Sequence, residues 1–158
     1  MDRAWRKVAN VMTRAGLATC EPGQSLRRAA QLLLERDCGA LPVVEDGVVI
    51  GMLTDRDVCL AAWRERRPLS ELEVACAMSS PVHGCADDDE LSEALGLMRR
   101  YQVRRLPVLD RGGRLVGLLS QDDVIRAAAR RRSPRLARCV VETLSMIGEP
   151  PRLARTQA

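Results

Sequence analysis

The chain contains one pattern twice. Cys38-Gly39-Ala40-Leu41-Pro42-Val43-Val44 answers Val103-Arg104-Arg105-Leu106-Pro107-Val108-Leu109 at an offset of 65. Gly51-Met52-Leu53-Thr54-Asp55-Arg56-Asp57-Val58 answers Gly117-Leu118-Leu119-Ser120-Gln121-Asp122-Asp123-Val124 at an offset of 66. The additional residue falls where Asp46-Gly47 becomes Asp110-Arg111-Gly112-Gly113, and a turn is where a shared fold accepts an insertion. Upstream, Met12-Thr13 answers Met78-Ser79.

Each copy reads as β-α-β-β-α. An extended piece (Leu17 to Cys20; Pro81 to Cys85) precedes an amphipathic helix. Leu26, Ala29, Ala30, Leu33 and Leu34 share one face of that helix, matched by Leu91, Ala94, Leu95 and Met98 in the second copy. Ser25 and the run Asp87-Asp88-Asp89-Glu90 stand where helix caps and the dipole favour them. Two strands follow, Leu41 to Glu45 and Val48 to Thr54, joined by the hairpin signal Asp46-Gly47; their counterparts are Leu106 to Asp110 and Arg114 to Ser120. A second helix is expected over about Asp55 to Glu65, and again over about Gln121 to Arg132. The expected organisation is repeat 1 over 8–66, repeat 2 over 74–132, and a basic helix and tail over 133–158.

The hydrophobic share of 46% supplies a core, but two Trp, one Tyr and no Phe leave it to Val, Leu, Ala and Met. So few aromatics argue against a stacking surface for single-stranded nucleic acid. Basic character sits in the tail: from Arg126 onward there are 8 Arg against 2 Glu, whereas the preceding residues carry 17 Arg/Lys against 19 Asp/Glu. Six cysteines form no CxxC and His83 is the sole histidine, so no zinc spacing is present. Without a leader or a membrane-length apolar run, the expectation is a reduced, cytoplasmic protein with no membrane association.

The chemistry concentrates at Thr54-x-x-Asp57 and Ser120-x-x-Asp123, each where a strand gives way to a helix. A helix start offers backbone N–H groups to an anion, and a carboxylate there can accept ribose hydroxyls. The same residues also serve as helix caps with no ligand at all. Occurrence in both copies favours the ligand. Nothing in the sequence pairs a nucleophile with a base, which argues against an enzyme.

The ordered set M-T/S, then A/R-L-P-V, then G-x-L-T/S-x-x-D, present twice between about Val11 and Arg131, resembles the CBS-domain family. The resemblance implies two repeats packed through their sheets about a pseudo-twofold, with an extra C-terminal helix. It implies a stand-alone regulatory module that binds an adenine nucleotide or related adenosyl ligand between repeats and signals to a partner protein. Homodimerisation through the repeat helices is the further expectation. Carried over, Asp57 and Asp123 hold ribose, helped by Thr54 and Ser120. The adenine wall is Cys38, Gly39 and Leu17 to Thr19 at one site, and Val103, Arg104 and Val82 to His83 at the other. Arg56, Arg104 and Arg105 are the phosphate candidates, since guanidinium forks suit that anion. Taken singly, each of these arginines also reads as a solvated corner, and His83 as a strand residue. Asp122 stands where repeat 1 has Arg56, so the Ser120/Asp123 site is expected to be the weaker.

Beyond Ser133-Pro134, the residues Leu136, Val140, Val141, Leu144 and Ile147 recur at helical spacing until Gly148. This added helix is expected to pack on the module or across a dimer, with Pro151 to Ala158 mobile. Two alternatives stay open: a dimeric scaffold or stress-response protein of the same fold without nucleotide, and a nucleic-acid partner of the arginine tail. The lack of a recognition motif argues against the second.

Overall fold

Ser25 begins the first regular helix, its hydroxyl accepting the backbone N–H of Arg28 at 3.3 Å. The computed structural model describes residues 6–148. It runs α1 (Leu26–Glu35), β1 (Ala40–Glu45), β2 (Val48–Thr54) and α2 (Asp55–Glu65). The order then recurs as α3 (Leu91–Tyr101), β3 (Arg105–Leu109), β4 (Leu115–Ser120) and α4 (Gln121–Arg131), followed by α5 (Pro134–Gly148).

Both hairpins are antiparallel, and both carry a register shift at equivalent places, Val43/Val44 and Val108/Leu109. Asp46 and Gly47 have φ of 50° and 80°, the pair of left-handed residues that a tight hairpin turn requires. In the longer second turn, Asp110 Oδ1 accepts the N–H groups of Gly112 (2.8 Å) and Arg114 (2.9 Å). The extended pieces before α1 and α3 join their sheets through parallel bridges, Cys20 to Val43 and Cys85 to Val108. The β-α-β-β-α order therefore holds in both repeats.

What joins the repeats is an exchange of their leading segments. Val8 and Met12 lie in the core of the second repeat, with Leu91, Leu95, Met98 and Leu119. Val74, the equivalent of Val8, lies in the core of the first with Leu26, Leu33, Leu41 and Leu53. Each lead-in also pairs with the other repeat's inner strand. Thr13 exchanges two backbone hydrogen bonds with Leu118, both 2.9 Å, and Ser79 exchanges two with Met52, at 2.8 and 3.1 Å. Val8 and Val74 are both wholly buried. Each burial contributes roughly 1.5–3 kcal/mol, and these contributions depend on both repeats being folded together.

Two sequence expectations are refined. Leu26, Ala29 and Leu33 are buried, but Leu34 is 83% exposed, because α1 turns a narrower face to its core than the run of apolar residues suggests. The apolar stripe of α5 divides as well. Leu136, Val140 and Thr143 are buried against α3 and α4, whereas Val141 is 64% and Leu144 40% exposed. Thr143 holds the contact, accepting from Arg99 at 3.0 Å and donating to the Cys139 carbonyl at 2.7 Å. Residues Pro151 to Ala158, expected to be mobile, lie outside the described residues. Among the described residues, no helix is long and apolar enough to cross a membrane.

Candidate functional site

Thr54 ends β2 and caps α2. Its backbone N–H and hydroxyl donate to Asp57 Oδ2 at 2.8 and 2.6 Å, and its Oγ1 accepts the Asp57 N–H at 3.2 Å. This reciprocal box satisfies two donors of the first helical turn. An ionised carboxylate has about four acceptor positions, two on each oxygen. The box fills those on Oδ2. Asp57 Oδ1 has no hydrogen-bond partner among the described residues, so two acceptor positions remain beside a helix N-terminus.

Ser120 and Asp123 build the same box, at 2.8, 2.6 and 3.1 Å. Here, however, Oδ1 is occupied. Arg126 Nη2 donates to it at 2.6 Å, and the Thr13 hydroxyl approaches at 3.4 Å. The Asp123 side chain is left 9% exposed.

The remaining candidates divide between the two corners. Ala40 pairs with Thr54, which sets Gly39 beside the start of α2. The guanidinium of Arg105 crosses from the second repeat to this corner: a Cβ on Gly39 would meet Arg105 Nη2 at 3.2 Å. Cys38 and Gly39, with Leu33, Leu34, Asp55 and Val58, line a groove of about 450 Å³ whose walls do not include Thr54, Arg56 or Asp57. Arg56 is exposed, its backbone N–H held by Asp55 Oδ1 at 2.8 Å. Arg104 is exposed, and its carbonyl accepts the Gln121 N–H at 3.0 Å. Val103 packs against the second core. His83 stacks on Tyr101 with ring centroids 3.5 Å apart and planes 6° from parallel, so one face of the imidazole is already covered.

Three side-chain arrangements at these corners are not given by the motifs. Thr13 and Arg126 both reach Asp123, and Gln121, buried at the start of α4, keeps its Nε2 without a partner. For Arg126 a signal existed: an acid three residues before an arginine on a helix is a pairing distance.

Two interleaved β-α-β-β-α repeats, each with a capped carboxylate at a strand-to-helix junction, define a tandem-repeat α/β module. The chain belongs to the CBS domain family, whose family model matches twice, over residues 8–64 and 70–130. It is 38% identical over 108 residues to the CBS domain-containing protein YhcV of Bacillus subtilis, spanning 68% of this chain and 76% of that one. It is 33% identical over 110 residues, 68% of this chain, to inosine-5'-monophosphate dehydrogenase of Mycobacterium tuberculosis, but spans only 20% of that enzyme. Among solved structures, CBSX2 of Arabidopsis thaliana in complex with AMP superposes with a TM-score of 0.70 at 31% identity, covering 80% of this chain and 98% of CBSX2.

Proposed function

We propose that this chain is a regulatory CBS pair that binds an adenine nucleotide, or a related adenosyl ligand, and passes its occupancy to a partner protein without catalysing a reaction. The observation that carries this reading is Asp57: one oxygen is fixed by the Thr54 box, and the other is free to accept ribose hydroxyls. Arg105 arrives from the other repeat against Gly39, and Arg56 stands exposed in the first turn of α2, so these two cations are the phosphate candidates of this reading. AMP in the related CBSX2 supports the ligand class. The partial match to the dehydrogenase supports a regulatory segment rather than a catalytic one.

A cytoplasmic setting belongs to the same reading, and the free cysteines, as expected of a reducing compartment, support it. Homodimerisation through the helices of the repeats belongs to the same reading, since Leu34, Leu60 and Trp63 are 83%, 48% and 76% exposed on α1 and α2.

The test is a thermal-shift screen with AMP, ADP, ATP, NAD and S-adenosylmethionine. A ligand-dependent rise in unfolding temperature is expected for at least one adenine nucleotide. Both boxes are also complete as helix caps without any ligand, which favours a scaffold as the second reading. A flat response across the screen would select it.

A further inference from the structure

The two carboxylates are equivalent in sequence and not in circumstance. Asp57 and Asp123 occupy the same position in their repeats and make the same capping box through Oδ2. They differ at Oδ1. Arg126, one helical turn beyond Asp123, donates to that oxygen at 2.6 Å. The equivalent residue in the first repeat is Leu60, which has no charge to offer. The lead-in hydroxyls differ in the same direction: Thr13 points its hydroxyl at Asp123 Oδ1, whereas its equivalent, Ser79, donates to the Met52 carbonyl at 3.1 Å. Both changes close the second carboxylate and leave the first open.

The cationic contribution from one repeat to the other also differs between the two corners. Arg105 of the second repeat lies against Gly39 at the first corner. Its equivalent, Ala40, is buried and has no charge to return to the second corner.

We infer that Arg126 is a latch on the second ribose-accepting carboxylate, and that the chain in consequence takes one adenine nucleotide, at the first repeat. This rests on the nucleotide reading above and adds to it which site is used and which residue excludes the other. A ligand entering the second site has to displace Arg126, as well as the longer Thr13 contact, before both ribose hydroxyls find acceptors on Oδ1. The arginine side chain is 59% exposed, so it is free to leave without disturbing a core. The device is therefore a reversible one, and its removal should not unfold the protein.

Calorimetric titration with AMP tests the inference on the full chain. Wild type is expected to bind one AMP per chain. Arg126→Leu installs the residue of the first repeat, and Arg126→Gln keeps a polar stem while removing the charge; each is expected to bind two. Two AMP per chain on the wild type, or one on both variants, overturns the latch while leaving nucleotide binding in place. No binding by wild type or by either variant overturns the latch and the nucleotide reading together.

Discussion

Met78 lies over Gly51 so closely that a Cβ on the glycine would sit 2.9 Å from the Met78 sulfur, and 2.9 Å from the Ser79 carbonyl oxygen. Gly117 faces Met12 in the same way, with a Cβ position 2.5 Å from sulfur. These two glycines are where the lead-in of each repeat is laid against the other. Gly51→Ala is expected to destabilise by about 1–3 kcal/mol, since the backbone carbonyl of Ser79 must move. Gly117→Ala is expected to cost less, because its neighbours are atoms of the flexible Met12 side chain. Urea unfolding of the two variants measures the order. Equal stability for wild type and Gly51→Ala would mean that the lead-ins are not held as described.

The exposed apolar side chains of α1 and α2 give a second expectation. Leu34→Glu and Trp63→Ser should weaken self-association, the tryptophan by about 2 kcal/mol, roughly thirtyfold in dimer affinity. Light scattering over micromolar concentrations reads this directly. A wild-type chain that stays monomeric throughout contradicts the dimer and leaves the fold untouched.

Cysteine chemistry follows burial. Burial pushes the Cys20 thiol up to about 11. Burial first, and the charge of Asp89 second, push Cys85 up to about 12. Both remain neutral thiols at neutral pH and should alkylate last, after exposed Cys59 and Cys76. Mass spectrometry of timed iodoacetamide reactions orders them. The sign of the linkage is also set. An unfolded thiol ionises near 9.0, so the buried thiols contribute stability that is whole below that pH and lost as pH rises through about 11 and 12. A Cys20→Ala/Cys85→Ala double variant should lose less stability than wild type between pH 9 and 11.

Much of this was legible in the residues themselves. Asp46-Gly47 names its own turn, and Thr54-x-x-Asp57 names its own cap, because each depends on neighbours a few positions away. The path of Val8 and Val74 into the opposite cores was not legible. That choice is made by long-range pairing to Leu118 and Met52, and local periodicity is silent about it. Leu34 misled for a related reason: a helical face is defined by what packs on it, and nothing in the described chain covers this one. At the second site, sequence drew attention to Asp122, while the structure shows Arg126 holding Asp123.

Those two accounts of the second site separate experimentally. Asp122→Asn relieves repulsion near phosphate but leaves Arg126 in place, so no second AMP is expected to bind. Combined with Arg126→Leu, it should tighten the newly opened site by a few-fold, as expected for removal of an exposed like charge. A second AMP bound by Asp122→Asn alone would assign the closure to Asp122.

On the proposed function, Asp57 accepts the ribose of an adenine nucleotide. Asp57→Asn tests it more cleanly than Asp57→Ala, because asparagine can keep an oxygen in the Thr54 box while turning the free acceptor into a donor. Each hydrogen bond to a charged acceptor contributes about 1.5–3 kcal/mol, so loss of one predicts at least a tenfold fall in affinity. The measurement is calorimetric titration of wild type and Asp57→Asn with AMP. Measurable heat is expected for wild type, with at least tenfold weaker binding by the variant. Equal binding by the two proteins, or no heat from wild type, would contradict it.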